Sequence, residues 1–273
     1  MSNRVFNEKQ IEFIKENYME MTYSNMSRIE LFTGLSEKQI RNKARNIGLF
    51  KTRKFNDRYF KVIDNHEKSY WLGFIYADGN VYINRDRGNA EMRIEIHQKD
   101  EYILYHLKKS LGDVHDISRR ERDISFNGYE YTTKTSSLRI YSKNIAYDLV
   151  KNGVVPNKTE SSVFPKVKDE ELFFSFMRGF FDGDGCLYWN NKGLSLHFTN
   201  SSSDVFEYMQ QTLKTYNIQT NIYKEKEKKY KMFVSVRDIP VFLEKIYKNS
   251  NNLKLKRKYD IYAKWLSSQE IEG

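Results

Sequence analysis

The chain has 273 residues, with 46 Lys and Arg against 36 Asp and Glu, a formal net charge of +10 and a pI near 9.3. That balance favours a polyanionic partner. With 39% hydrophobic and 15% aromatic residues, the chain can bury a sizeable core and does not read as disordered. No apolar run reaches the roughly 18 residues that span a bilayer, so no membrane partner is expected. The N-terminus has no signal-peptide apolar region, and Glu8, Glu12 and Glu16 argue against a transit peptide. The single cysteine, Cys186, excludes an internal disulfide and a thiolate zinc cluster. The five histidines are scattered, so no zinc site is expected.

In chain order, residues 7–50 read as a short helical module. Ile11, Phe13, Ile14 and Tyr18 have helical spacing. A second helix is predicted from Ser24 to Phe32, ending at Gly34. Ser36 with Gln39 is a capping-box pattern for a third, whose apolar face holds Ile40, Ala44 and Ile47. The opposite face carries Lys38, Arg41, Lys43 and Arg45, and Lys51, Arg53, Lys54 and Arg58 follow. This arrangement resembles a helix-turn-helix with a basic tail along the nucleic-acid backbone. The plainer reading is a three-helix packing unit with a solvated basic face.

Residues 60–152 and 160–260 read as two copies of one unit. Each opens with an apolar stretch that contains a glycine and ends in Asp-Gly: Trp71-Leu72-Gly73-Phe74-Ile75-Tyr76-Ala77-Asp78-Gly79 and Met177-Arg178-Gly179-Phe180-Phe181-Asp182-Gly183-Asp184-Gly185. A small residue inside an apolar helix lets a second backbone approach closely. Two carboxylates at the feet of two packed helices repel unless a cation sits between them.

In the first copy Met92, Ile94 and Ile96 alternate with Arg93, Glu95 and His97, and Leu138 and Ile140 with Arg139, Tyr141 and Lys143. Helices are predicted over about 100–111 and 144–151. In the second copy Leu194, Leu196 and Phe198 alternate with Ser195, His197 and Thr199. Met232, Val234 and Val236 alternate with Lys231, Phe233, Ser235 and Arg237. Helices are predicted over about 203–216 and 240–248. The order helix, two strands, helix, two strands, helix thus appears twice, with Pro156 and Pro165 in the connector. The polar face of each predicted sheet is either an ordinary wet side or, in a chain this basic, a surface for phosphates and base edges.

The two nonapeptides and the duplicated element order resemble the LAGLIDADG homing endonucleases, over about residues 60–265. The resemblance implies an α+β fold: tandem αββαββα repeats forming a pseudo-two-fold saddle of two antiparallel sheets, here preceded by a small all-α domain. The corresponding domains are 1–55, 60–155 and 160–270. It implies a monomer that binds double-stranded DNA. Gly73 and Gly179 take the helix-contact positions. Asp78 and Asp184 take the acidic position that binds Mg²⁺, for which Mn²⁺ substitutes, and Gly79 and Gly185 offer carbonyls beside the metal. Asp182, matched by Tyr76 in the first copy, is not counted as catalytic. Lys158 and Lys258 fall where related enzymes carry an active-site lysine, with Lys254 and Lys256 as rivals. Gln98 and Asn200 end the second strand of each copy, where the family has a water-positioning residue. The expected DNA contacts are Arg41, Lys43, Arg45 and Arg53 in the module, and Arg93, His97, Arg139, Tyr141, Lys143, His197, Lys231 and Arg237 on the sheets.

The Asp182-Gly183-Asp184-Gly185 run does not read as a calcium loop, because Cys186, Leu187, Tyr188 and Trp189 lack the oxygen ligands such a loop needs. The implied activity is site-specific, Mg²⁺-dependent double-strand cleavage leaving 3′ overhangs. The alternative is a non-cutting relative: a group-I intron maturase that binds RNA, or a transcription regulator. With Met1-Ser2 at one end and Glu272-Gly273 at the other, no intein splicing signal is expected. The expected location is intracellular and cytoplasmic, with a bacterial or phage gene as the source and an organelle as the other possibility.

Overall fold

The structure, a computed structural model, describes residues 6–49, 55–86, 88–112, 114–126, 128–156, 164–191, 193–227 and 229–272. Its contacts divide into two units, Met1–Lys54 and Phe55–Gly273. No helix among the described residues is long and apolar enough to cross a membrane.

The first unit is all helical. Helix α1 (Glu8–Asn17) starts at a reciprocal box between Asn7 and Gln10, and α3 (Glu37–Asn46) at one between Ser36 and Gln39. Between them the predicted single helix is broken into α2 (Tyr23–Met26) and a 3-10 turn over Glu30–Phe32. The Ser27 hydroxyl bonds back to the Ser24 carbonyl at 2.7 Å, and Ile29 is extended, so the ladder does not continue. Ile14, Met26, Phe32, Ile40 and Ala44 form the core. Gly48 ends the unit's last helix at φ +80°, a conformation that suits glycine.

The second unit contains two similar halves. The first runs α4 (His66–Asp78), β1 (Gly79–Asn84), β2 (Asn89–His97), α5 (Tyr102–Leu111), β3 (Ser118–Phe126), β4 (Tyr129–Tyr141) and α6 (Lys143–Lys151). The second runs α7 (Glu170–Asp184), β5 (Gly185–Asn190), β6 (Gly193–Asn200), α8 (Ser203–Thr215), β7 (Thr220–Lys226), β8 (Lys229–Val234) and α9 (Ile239–Tyr247). Each half holds one antiparallel four-stranded sheet, in the orders β1-β2-β4-β3 and β5-β6-β8-β7. The apolar strand residues cited above, except Val236, face a core shared by both halves.

Three features depart from the sequence reading. Strand β8 stops at Val234. Val236 and Arg237 lie instead in a 3-10 turn, where Val236 is 66% exposed. That turn closes because the Asp238 amide donates to the Ser235 carbonyl and the Asp238 carboxylate accepts from the Gln219 amide, at 2.8 and 2.9 Å. A further helix, α10 (Lys256–Glu272), follows α9 and stacks Tyr262 on Tyr247 and on Trp265. Finally, β3 is almost wholly polar, so hydrophobic alternation does not reveal it. It and residues 129–134 of β4 form a two-stranded ribbon beyond the edge where β2 stops pairing.

Candidate active site and nucleic-acid interface

Helix α4 is buried on every side from Ser69 to Ala77, as a helix at the centre of a fold must be. It runs parallel to α7. The Ser69 hydroxyl reaches the Leu172 carbonyl at one end, and Ala77 meets Gly183 at the other. Gly73 and Gly179 make this approach possible. A Cβ on Gly73 would lie 2.0 Å from the Phe176 carbonyl oxygen, and one on Gly179 1.9 Å from that of Tyr70. The same spacing holds at the foot, where a Cβ on Gly183 would lie 3.4 Å from the Asp78 carboxylate. The helix pair therefore carries Asp78, which is exposed, and Asp184, which is half-buried, to one end of the unit. Each lies at the last helical residue, where the negative pole of the backbone dipole adds to its own charge.

Lys258, from α10, is 4% exposed and ends against the foot of α7. Its Nζ donates to the carbonyls of Phe181 (2.5 Å), Asp182 (2.8 Å) and Gly185 (2.5 Å). Burial pulls its pKa down to about 8, opposed by the charges of Asp182, Asp78 and Asp184. Its rivals lie elsewhere: Lys254 bonds Ser250 and Asn251, and the Lys256 amide donates to Tyr102. Lys158 lies outside the described residues. Asp182 is fully buried and accepts from the Tyr70 hydroxyl (2.9 Å) and the Leu255 amide (2.8 Å), while burial raises its pKa to about 6. Arg178 is also buried and donates to the carbonyls of Leu253 and Ile246. These two internal charges were missed as structural residues. The available signal was that both replace apolar or aromatic residues of the first motif, Leu72 and Tyr76.

The donor set suits a hard divalent cation. Among the described residues no group of three His, Cys, Asp or Glu gathers as a metal cluster. What the foot offers is two carboxylates and backbone carbonyls, a set that leaves most of a Mg²⁺ shell to water and ligand. Of the two glycine carbonyls, that of Gly185 already accepts from Lys258. Gly79 and Gly185 themselves sit where a Cβ would strike Ile75 and Phe181. Asp184 and Asn200 line a cavity of about 60 Å³ with Tyr76 and Ala77, and the Asn200 side-chain Oδ1 accepts from the Ser202 amide. Gln98 lies in a 3-10 turn just after β2.

The polar faces of the sheets hold most of the expected contacts. Arg93 and Arg139 are directly opposed across β2 and β4; Arg93 bonds Glu95, and Arg139 pairs with Glu91 at 3.7 Å and Tyr141 at 3.2 Å. His97 is exposed, with Nδ1 accepting from the Lys99 amide. Lys143 starts α6, beside Gly88. His197 and Lys231 lie on the second sheet, Lys231 paired with Glu225 at 2.9 Å. Arg237, expected on a strand, instead sits in the exposed turn beside Asp238. In the N-terminal unit Arg41 pairs with Glu37, Lys43 lies over the Phe6 ring, and Arg45 sits in the last turn of α3; Arg53 lies outside the described residues. Arg120 and Arg122 of β3 were missed with their strand, although β3 places them on the face of Arg93.

Two family models match the chain. A LAGLIDADG endonuclease model matches residues 71–152 and a LAGLIDADG-like domain model residues 171–247, together more than half of the sequence. No curated protein sequence matches at a significant level. Among solved structures, the meganuclease I-AabMI bound to uncleaved DNA aligns with a TM-score of 0.51 at 16% identity, over 77% of this chain and 91% of that one. An I-DmoI variant with nicked target DNA aligns at 0.46 and 15%, over 71% and 98%. The N-terminal LAGLIDADG domain of WhiA aligns at 0.41 and 24%, over 71% and 94%.

Proposed function

Because the chain belongs to the LAGLIDADG family, we propose that it is a site-specific double-strand DNA endonuclease that acts as a monomer. The observation that carries this reading is the convergence of Asp78 and Asp184 at one end of a parallel helix pair held together by glycines. Residues 1–55 are assigned as a DNA-binding module, and 60–155 and 160–270 as the two repeats. I-AabMI, whose fold this chain shares, is solved on DNA, and duplex DNA is the partner assigned here.

Asp78 and Asp184 would hold Mg²⁺ or Mn²⁺, with the Gly79 carbonyl as a further donor. When bound, the metal supplies an activated water and neutralises charge on the scissile phosphate. Lys258 holds the carbonyl end of α7 in place and adds positive charge close to both carboxylates. The basic residues of α3 and the lysines of the sheets hold the phosphate backbone, so affinity falls steeply with salt. Family resemblance supports short 3′ overhangs and an intracellular site of action.

The test is cleavage of a target-site library in Mg²⁺ and in Ca²⁺, with Asp78→Asn and Asp184→Asn alongside. Cuts at one long site that disappear in both variants, while binding remains, support the reading. Specific binding with no cutting in any metal moves the chain to a regulator or intron-RNA maturase.

A further inference from the structure

The two sheets have the same topology but different chemistry on their polar faces. Strands β1–β4 contain five arginines, and β5–β8 contain none. On the first sheet Arg93, Arg120, Arg122 and Arg139 share one face, close enough that the last three each act electrostatically on Arg93. Glu95 bonds Arg93, lies 3.7 Å from Arg122 and accepts from Thr135 at 3.1 Å. The guanidinium groups of Arg93, Arg122 and Arg139 are therefore held by carboxylates in the sheet and kept partly exposed.

On the second sheet the same face carries a band of rings across all four strands: Tyr188 on β5, His197 on β6, Phe233 on β8 and Tyr223 on β7. Successive ring centroids are 6.4, 5.0 and 5.7 Å apart. Tyr188 and Tyr223 at its ends are 43% and 57% exposed, and His197 and Phe233 between them are half-buried. Burial and Lys231 lower the pKa of His197, which disfavours its charged form. Of the cations beside it, Lys229 and Lys231 are paired with Glu225 and Arg237 with Asp238.

Resting on the proposed function, we infer that the two halves of the DNA target are read by different chemistry: guanines by the arginine face of the first sheet, and thymine methyl groups by the aromatic band of the second. A guanidinium fork matches the O6 and N7 acceptors of guanine in the major groove. The apolar edges of these rings match the C5-methyl group of thymine, which only an A·T pair presents there. Duplex DNA is the occupant that accounts for both faces, because they are the corresponding faces of two repeats in a chain of charge +10.

The experiment uses the full chain. A random duplex library is selected for binding in Ca²⁺ and sequenced, and the site obtained is rebuilt with base analogues. Guanines are expected in one half and thymines in the other. Replacing the guanines with 7-deazaguanine, which lacks the N7 acceptor, should weaken binding about tenfold per contacted base, in that half only. Deoxyuridine, which lacks the methyl group, should weaken binding severalfold in the other half only. Arg93→Ala should remove the sensitivity to 7-deazaguanine at its position, and Phe233→Ala the sensitivity to deoxyuridine. The analogues leave the protein unaltered, so they remain informative if a variant folds poorly. A selected site whose halves respond alike to both analogues overturns this inference and leaves the nuclease reading standing. A library with no enriched DNA overturns both.

Discussion

Tyr70 of the first motif helix donates its hydroxyl to Asp182 of the second at 2.9 Å, inside a fully buried contact. This bond joins the two repeats next to the carboxylates, and the Leu255 amide that shares Asp182 draws in the segment leading to α10. The foot of the helix pair is thus a single polar knot made from both halves, which fixes where Asp78, Asp184 and Lys258 lie.

The helix crossing leaves no space for a methyl group. Gly73→Ala and Gly179→Ala should each destabilise the protein by about 3 kcal/mol, because the added Cβ would meet backbone rather than a flexible side chain. Thermal melting should show both below wild type. A melting temperature unchanged in either variant would mean that the helices are farther apart than described.

Lys258→Met removes three donors from the end of α7 and should cost about 3 kcal/mol. Lys254→Met and Lys256→Met should each change stability by no more than about 0.5 kcal/mol, as outer positions do. Urea denaturation of the three variants checks the order. Equal losses would remove the special position assigned to Lys258.

Glu101 binds Arg119 through both oxygens, at 2.7 and 2.5 Å, and accepts from Ser136, tying the base of the β3–β4 ribbon to α5. The Arg119 bonds pull its pKa from 4.5 to about 2. A carboxylate with a lowered folded pKa contributes stability above its unfolded pKa and loses it as pH falls through the folded one. Glu101→Gln should therefore be less stable than wild type at pH 7, by about 1 kcal/mol, because solvent reaches the Arg119 side of the pair. The gap should narrow from pH 4.5 towards pH 2. A gap independent of pH would show that the charge is not the cause.

Removing residues 1–54 takes away Lys38, Arg41, Lys43 and Arg45 and leaves the contacts of Phe55–Gly273 intact. DNA binding should weaken and its dependence on salt should flatten, with cleavage retained. Titrations at several salt concentrations measure both. An unchanged slope would show that the module makes no phosphate contacts.

The sequence alone determined the repeat, the motif helices and the strands with an apolar face. Periodicity records burial, and Met92, Ile94 and Ile96 or Leu194, Leu196 and Phe198 are buried on alternate positions. The same logic missed β3, whose Arg-Arg-Glu-Arg-Asp run packs against no core, and it extended β8 into the turn at Val236. Only the tertiary structure decided how the polar residues are used. Lys254, Lys256 and Lys258 are near-equivalent in sequence, and one is buried because α10 docks it against α7. Asp182 and Arg178 are internal because partners far along the chain, Tyr70, Leu255, Ile246 and Leu253, satisfy them. The band from Tyr188 to Tyr223 exists only through strand register. Local pattern fixes which faces are apolar, but a polar side chain takes its role from neighbours that only the folded chain brings to it.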